Sequence, residues 1–282
     1  MVCYANPLTV KAVQWEMGEQ YITDQQQFWD DVEIILDDST EGALVVFPEY
    51  TSVFLALDSY GHIIERHDDF LSAWNEISSV YGHASIRELF IKESLYIHQM
   101  LYRWQQLARE YRCYIIPGSF FTYDFDQKAL VNRTVVIDPS GTTIYSQDKV
   151  FCTPFEEYYC GIEGAAVEDA APFMINGQKI ALTLCRDTFF KQWDPQMGRV
   201  DLWIDIKANG AAYDLTEQQR FERGVPVRIK NTGSRYGLTL CLTGSLFDLF
   251  WEGESSLKET SGLKVIASET TREYDHFSFV ID

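Results

Sequence analysis

Three features are scarce or missing in this chain of 282 residues: basic side chains, long apolar runs and a basic leader. Lys and Arg together number 23 against 42 Asp and Glu, so the formal net charge is −19. Because phosphate groups would be repelled over most of such a surface, the charge argues against a nucleic acid or an anionic membrane as partner. No apolar run approaches the length of a membrane span, and residues 1–20 lack a basic stretch followed by an apolar one.

Cysteine is sparse, with six residues spread along the chain. An even number allows disulfide bonds, but the length of the chain and the missing leader favour reduced thiols, and we expect a cytoplasmic protein. Cys152 and Cys160 have a spacing that matches no zinc site. Cys3, Cys113 and Cys241 lie in or beside apolar strands and fit buried structural positions.

Linker-like sequence is also missing, because no Gly/Ser-rich or Pro-rich stretch divides the chain. The sequence therefore predicts one domain of residues 1–282. Residues of about 56–92 follow no regular period and predict a long excursion with local helix. Short apolar runs predict strands at 8–15, 43–47, 113–121, 130–137, 142–146, 179–184, 200–206, 237–243 and 262–267.

Three amphipathic stretches predict helices. Thr23 and Gln26 have capping-box spacing before the first one, and the second covers 97–111. The third starts at Asp214 and should bend or split near Pro226. The alternating tail, 276–281, predicts a final strand or an interface arm.

Three strand-like segments each end in a reactive side chain: a carboxylate at Glu49, an ammonium at Lys149 and a thiol at Cys185. Ligands of open α/β sheets bind at the carboxyl ends of strands, so three chemistries at that edge indicate an active site. Burial would suit Glu49 to proton transfer, and Lys149 would favour a thiolate and stabilise a developing oxyanion. Taken singly, each residue fits a solvent-exposed or structural position better than a catalytic one. Only the set indicates chemistry.

The surroundings of Cys185 favour a nucleophile. Its strand leads directly into a stretch that resembles the start of a helix. A nucleophile on such a turn is exposed, and the N–H of the next residue, Arg186, can face the substrate oxygen. A Cys–His hydrolase is the alternative within enzymes, but only His276 follows Cys185 in the sequence. That alternative leaves Glu49 and Lys149 without a role.

Together, these segments resemble the nitrilase, or carbon–nitrogen hydrolase, superfamily, whose members use Glu, Lys and Cys in this chain order. Phe47-Pro48-Glu49 matches its Phe-Pro-Glu motif, and Cys185-Arg186-Asp187 matches its Cys-x-Asp motif. The second glutamate of the family, which orients the lysine, would be Glu156, with Glu157 as the other choice. The lysine segment is closest to a branch with a Lys-x-x-x-Thr-Pro-x-Glu pattern, matched by Lys149, Thr153, Pro154 and Glu156.

The resemblance implies an α/β fold, a four-layer αββα sandwich that pairs into a homodimer or a larger homo-oligomer. It also implies that Cys185 attacks an amide or nitrile-like carbon while Lys149 and the Arg186 N–H stabilise the oxyanion. Glu49 would then move protons. No metal and no organic cofactor is implied.

The function expected from this resemblance is hydrolysis of a non-peptide carbon–nitrogen bond in a small molecule of the amide, ω-amide or N-carbamoyl type. A catalytically silent binding protein with the same fold and a true nitrile hydrolase are the alternatives. Five residues are expected to line the substrate pocket: Tyr50, Tyr158, Arg186, Phe189 and Asn209. Each of them also fits a position in the core or at the rim.

Overall fold

The computed structural model describes residues 6–282, so the prediction for Cys3 lies outside the described residues. The strands are β1 Leu8–Gln14, β2 Glu16–Met17, β3 Leu44–Phe47, β4 Tyr114–Pro117, β5 Ser119–Asp124, β6 Ala129–Ile137, β7 Thr143–Asp148, β8 Phe173–Ile175, β9 Gln178–Leu184, β10 Leu202–Lys207, β11 Tyr236–Cys241, β12 Thr243–Leu246, β13 Leu249–Trp251, β14 Ser256–Glu259, β15 Lys264–Ala267 and β16 Asp275–Ile281.

The α-helices are α1 Gln20–Thr23, α2 Gln25–Asp37, α3 Gly61–Ile64, α4 Phe70–Tyr81, α5 Ile86–Lys92, α6 Ser94–Glu110, α7 Trp193–Met197, α8 Leu215–Phe221 and α9 Val225–Thr232. Turns of 3₁₀-helix cover Phe54–Tyr60, Val167–Asp169 and Cys185–Phe189, and a π-helical turn covers Phe155–Cys160.

The strands form two large sheets. The first has the order β16-β1-β3-β4-β6-β5, with β7 paired to β6, and the second has the order β15-β14-β11-β10-β9-β8. Strands β1, β3 and β4 run parallel, as do β9, β10 and β11. Since β6 is antiparallel to both β4 and β7, strand β7 ends at the same edge as β3. The segments after β3 and β7 therefore leave the first sheet at the same edge.

The two sheets pack face to face, and helices cover their outer faces. Alternate side chains of β1 and β3 meet those of β9, β10 and β11 in one buried cluster. Trp104 of α6 and Phe28 of α2 pack on the outside of the first sheet, and Trp193 and Ile229 pack on the outside of the second. Because every central strand is covered on both faces, its sequence is apolar on both. The predicted four-layer αββα sandwich is thereby confirmed.

Two predicted boundaries are wrong. Thr23 belongs to α1, and the cap of α2 is Asp24, whose side chain accepts from the N–H of Gln26 at 3.1 Å. The predicted strand 113–121 is two strands, because Gly118 breaks it with a φ of +74°. A Cβ at Gly118 would lie 2.1 Å from the carbonyl oxygen of Pro48, so only glycine fits this close approach.

The excursion and the C-terminal tail follow two of the predictions. Residues 54–92 are largely helical and contribute α3, α4 and α5. Strand β16 pairs antiparallel with β1, and Phe277 and Ile281 are buried between the sheets. The prediction of a final strand is therefore confirmed, and because the tail is packed within its own chain it gives no argument for self-association. Between residues 6 and 282, no helix has the length and apolarity needed to cross a lipid bilayer.

Candidate active site

Lys149 lies at the centre of a buried group of charges, directly after β7. Its ammonium is fully buried and lies 2.8 Å from Glu49 Oε1 and 2.8 Å from Glu156 Oε2. Burial opposes the charge, but the two carboxylates outweigh it and hold the pKa of Lys149 well above its ordinary value. The lysine is therefore a cation at neutral pH.

Glu49 follows β3 and is buried beside Lys149. Besides the lysine, its carboxylate accepts hydrogen bonds from the Ala208 N–H at 3.0 Å and from Asn132 Nδ2 at 3.2 Å. Burial raises the pKa of Glu49 above its ordinary value; Lys149 lowers it, and Glu156 raises it further. A carboxyl group with a raised pKa can accept and return a proton near neutral pH.

Glu156 is held by the turn in which it lies. Its carboxylate accepts from the Thr153 N–H at 2.7 Å, and its own N–H donates to Thr153 Oγ1 at 3.2 Å, which is a capping box with Pro154 in the first turn. Burial opposes its charge, yet Lys149 outweighs burial and lowers the pKa of Glu156. Glu157 is exposed and takes no part. The two glutamates thus have pKa values shifted in opposite directions, which fits a proton carrier at Glu49 and a fixed anion at Glu156.

Cys185 occupies the turn between β9 and a short 3₁₀-helix. Its φ of +52° lies in the left-handed region, a conformation that costs a non-glycine residue about 1–3 kcal/mol. Burial raises the pKa of its thiol to about 12, the Glu49 carboxylate adds to this, and Lys207 and Lys149 act in the opposite direction. Cys185 is therefore a thiol at neutral pH, and its side chain is hydrogen-bonded to the Glu49 carboxylate.

The predicted motif residue Asp187 joins two parts of the site. Its buried carboxylate accepts from the N–H groups of Phe151 at 2.8 Å, Val150 at 3.3 Å and Leu184 at 3.4 Å. Burial raises the pKa of Asp187 to about 7 against the effect of these donors. The Cys-x-Asp spacing thus holds the cysteine turn against the segment that follows Lys149.

Sequence reasoning missed an ion pair under Cys185. Lys207, the last residue of β10, is buried and lies 2.7 Å from Asp205 Oδ2. Its ammonium also donates to the carbonyl oxygen of Cys185 at 3.1 Å and lies 3.3 Å from Thr188 Oγ1. A polar pair in an otherwise apolar strand is the sequence signal that could have revealed it. Lys207 places a second positive charge beside the cysteine.

Asn132 was missed as well. It lies in the middle of the apolar strand β6, where a buried amide needs partners. Its Nδ2 donates to Glu156 Oε1 at 2.9 Å and so bridges the two glutamates. The Asn132 amide and the Lys149 ammonium donate to the same two oxygens, Glu49 Oε1 and Glu156 Oε1, and together they set the separation of the two carboxylates.

Only one of the five predicted pocket residues lies where the sequence placed it. Tyr50 is buried beside Lys149 and lines a cavity that also reaches Glu49. Tyr158 is 81% exposed, because its π-helical turn directs it to solvent, and the prediction for it is wrong.

The other three predicted pocket residues contact neighbouring backbone or side chains and do not line the cavity. The Arg186 guanidinium donates to the Cys152 carbonyl oxygen, and the Phe189 ring lies 4.7 Å from the Lys207 ammonium. Asn209 Nδ2 donates to the carbonyl oxygens of Ala211 and Glu252. Their neighbours Ala208 and Gly210 line the cavity instead.

The histidines do not support a Cys–His site. His83 hydrogen-bonds Tyr60, and His67 contacts Glu76. His276 lies next to Tyr274 in the final strand. Among the described residues, no histidine contributes to the charges that shift the pKa of Cys185. The geometry therefore favours Glu49 over any histidine as the base for Cys185.

A cavity of about 370 Å³ opens beside Glu49. Its wall includes Glu49, Tyr50 and Ala208, and helices α4 and α5 of the excursion form much of the rest. The excursion after Tyr50 thus forms part of the wall of a cavity next to Glu49.

Comparison with known proteins gives structural matches alone. No family model and no curated protein sequence matches the chain. The NitFhit protein of C. elegans superposes with a TM-score of 0.68 at 14% identity over 98% of this chain, which spans 61% of that protein.

Two other solved structures match along most of their length. An amidase from Nesterenkonia sp. AN1, seen with an acetamide moiety added covalently to its active-site cysteine, has a TM-score of 0.65 at 16% identity, with 98% of this chain and 89% of that one covered. A carbon–nitrogen hydrolase from Helicobacter pylori G27 has a TM-score of 0.64 at 14% identity, with 96% and 88% covered. The chain therefore has the fold of the nitrilase, or carbon–nitrogen hydrolase, superfamily, as its motifs implied.

Proposed function

We propose that this protein is an amidase-type hydrolase of class EC 3.5, which cleaves a non-peptide carbon–nitrogen bond through a thioester on Cys185. The observation that carries the proposal is the buried Glu49–Lys149–Glu156 group beside a cysteine whose backbone has a φ of +52°. Desolvated charges of both signs at one position are costly, and they are typical of functional sites.

In the first half of the reaction, the Cys185 sulfur attacks the carbonyl carbon of the amide, and Glu49 accepts the thiol proton. The carbonyl oxygen becomes an oxyanion, which the Lys149 ammonium and the Arg186 N–H stabilise. Glu49 then gives its proton to the nitrogen as the carbon–nitrogen bond breaks. Ammonia or an amine leaves, and the acyl group stays on Cys185 as a thioester.

In the second half, a water molecule attacks the thioester carbon and Glu49 takes a proton from that water. The same two donors stabilise the second oxyanion. The carbon–sulfur bond breaks, the sulfur regains its proton from Glu49, and the carboxylic acid leaves. Glu156 keeps Lys149 in place throughout, because its own pKa is lowered and it stays ionised. The residues of the chain supply every proton transfer in this cycle.

Two alternatives make different predictions. A catalytically silent binding protein of the same fold would bind amides without releasing ammonia. A true nitrile hydrolase would add two waters to a nitrile carbon and release the same acid and ammonia. The carboxylate of Glu49 contacts both the Lys149 ammonium and the Cys185 thiol, and this arrangement favours a working hydrolase over the silent protein.

A screen for ammonia release tests the proposal. The purified chain is incubated with ω-amides, N-carbamoyl compounds, aliphatic amides and nitriles, and Cys185→Ala serves as the matched control. We expect release from one class of amide and none from the control. Release from nitriles alone would show that the protein is a nitrile hydrolase and not an amidase. No release from any class would favour the silent binding protein.

A further inference from the structure

We infer that the substrate is a neutral amide that carries a bulky apolar group, which binds in the cavity enclosed by residues 54–92. The inference rests on the proposed function and concerns the same site. It selects among the amide, ω-amide and N-carbamoyl substrates that the sequence leaves open.

The composition of the cavity wall is the first argument. Helix α4 contributes Ala73, Trp74 and Ile77, and α5 contributes Leu89 and Phe90. These side chains come from the stretch that has no regular period in the sequence. Burial of an apolar group against such a wall is favourable by roughly 25 cal/mol per Å².

Aromatic rings continue the apolar wall away from the reactive groups. The Phe54 ring centroid lies 6.4 Å from that of Tyr50 and 5.5 Å from that of Trp251. Farther along, Phe70 lies 6.3 Å from both Phe155 and Phe247. Three of these pairs meet edge to face, and the Phe54 and Trp251 rings are tilted by 48°. An alkyl chain or an aryl ring matches this surface, and a polar group would lose its hydration there.

The charges of the wall are the second argument. Glu49 and Asp248 are the charged residues among those that line the cavity, and neither is a cation. The Asp248 carboxylate accepts from the Phe70 N–H at 3.0 Å. An ω-amide or an N-carbamoyl amino acid carries a carboxylate, which would here be desolvated without a positive partner. The lysines of the site are already paired, Lys149 with two glutamates and Lys207 with Asp205.

The position of the cavity is the third argument. Glu49 lies both in the wall and in the reactive group, where Ala208 donates its N–H to the same carboxylate. A group bound in the cavity therefore lies next to Glu49, which in the proposed mechanism carries protons to and from the reacting amide. Its binding energy can then orient the amide for attack by Cys185.

The inference is tested with two series of neutral amides, the primary alkanamides from acetamide to octanamide and the N-alkylacetamides from methyl to hexyl. Each is compared with the same chain ending in a carboxylate in place of the terminal methyl group. We expect kcat/KM to rise about fourfold per methylene in one of the two series. The carboxylate analogue should be slower by roughly a hundredfold. No rise in either series, or a faster carboxylate analogue, would overturn the inference.

A cavity variant gives an independent readout. Ala73→Phe adds a ring to the part of the cavity wall that α4 forms and so reduces the cavity volume. Asn75→Phe on the exposed face of the same helix is the matched control. The ratio of kcat/KM for the longest to the shortest amide should fall about tenfold in Ala73→Phe and stay constant in the control. If Ala73→Phe does not fold, Trp74→Ala is measured instead and should lower the same ratio. An unchanged ratio in the folded variant would contradict the proposed pocket.

Failure of the proposed function is separable from failure of this inference. Calorimetric binding of octanamide and acetamide to Cys185→Ala reports on the cavity without any chemistry. Tighter binding of octanamide, with no hydrolysis by the unmodified chain, would keep the cavity and refute the hydrolase. Hydrolysis with equal binding of both amides would keep the hydrolase and refute the cavity.

Discussion

The carboxylate of Asp187 accepts a 2.8 Å hydrogen bond from the backbone N–H of Phe151. Through this bond the turn that carries Cys185, in the second sheet, is joined to the segment that follows Lys149, in the first. The two sheets of the sandwich thereby position a thiol and an ammonium against each other. A substitution at Asp187 should disturb both.

Asp187→Ala should lower stability and activity together. Its removal leaves the N–H groups of Val150, Phe151 and Leu184 buried without a partner, at about 1–3 kcal/mol each. Asp187→Asn keeps one acceptor oxygen and should lose less. Urea denaturation of both variants checks the order. Equal stability of Asp187→Ala and the unmodified chain would show that these hydrogen bonds do not stabilise the fold.

The raised pKa of Asp187 predicts a pH dependence of stability. The folded pKa is about 7 and the ordinary value is 3.8, so the folded state binds more protons between these values. Stability should therefore fall as pH rises through this window, by up to about 1.4 kcal/mol per pH unit from this group, and level off above it. The free energy of unfolding of the unmodified chain minus that of Asp187→Asn isolates the effect. Parallel curves for the two proteins would refute the assignment.

Lys149→Ala should abolish most turnover. Its removal leaves Glu49 and Glu156 buried without a counter-charge, and stability should fall by about 3–5 kcal/mol. The pKa of Cys185 should rise, and kcat should fall by roughly 10²–10³ as an oxyanion donor is lost. The pH profile of Cys185 alkylation is the measurement, with exposed Lys191→Ala as control.

Lys149→Arg should not restore activity, because a planar guanidinium does not fit a compact ammonium site between two carboxylates. Superimposable alkylation profiles for the unmodified chain and Lys149→Ala would remove Lys149 from the mechanism.

Lys207→Met should slow the reaction of Cys185 with electrophiles. The ammonium lowers the pKa of the thiol, so its loss raises that pKa, and each unit is a tenfold loss of thiolate. Asp205→Asn in the same chain should recover stability, because it removes the unpaired carboxylate, without recovering the alkylation rate. Lys258→Met removes another buried, ion-paired lysine and is the matched control. An equal effect of both methionine variants on alkylation would show a merely structural role for Lys207.

The positions of the candidate site residues were predictable because they follow from simple rules. Lys149 and Cys185 come directly after a strand, Glu49 follows β3 with one residue between, and strand ends of the two sheets meet at one edge. Glu156 was predictable from the Thr-Pro-x-Glu pattern, which is also a capping box. Local chain geometry and motif order were sufficient for these four.

Other features depend on packing between distant segments. The polar pair in β10 marks Lys207 and Asp205 in the sequence, but their position under the cysteine turn follows only from the packing of β10 there. The cavity forms where α4 and α5 meet Phe247–Trp251, which is more than 150 residues away in the chain. The tail 276–281 has an ordinary alternating pattern that does not reveal its partner, β1.

The most direct test of the central claim is the detection of an acyl group on Cys185. The chain is mixed with an amide that it hydrolyses, quenched in acid, and examined by intact-protein and peptide mass spectrometry. In the unmodified chain, we expect the mass of the acyl group on the peptide that contains Cys185. Cys185→Ala should show neither the acyl group nor ammonia release. Cys113→Ala should still carry the acyl group on Cys185. Ammonia release that persists in folded Cys185→Ala, or an acyl group on another residue, would contradict the account.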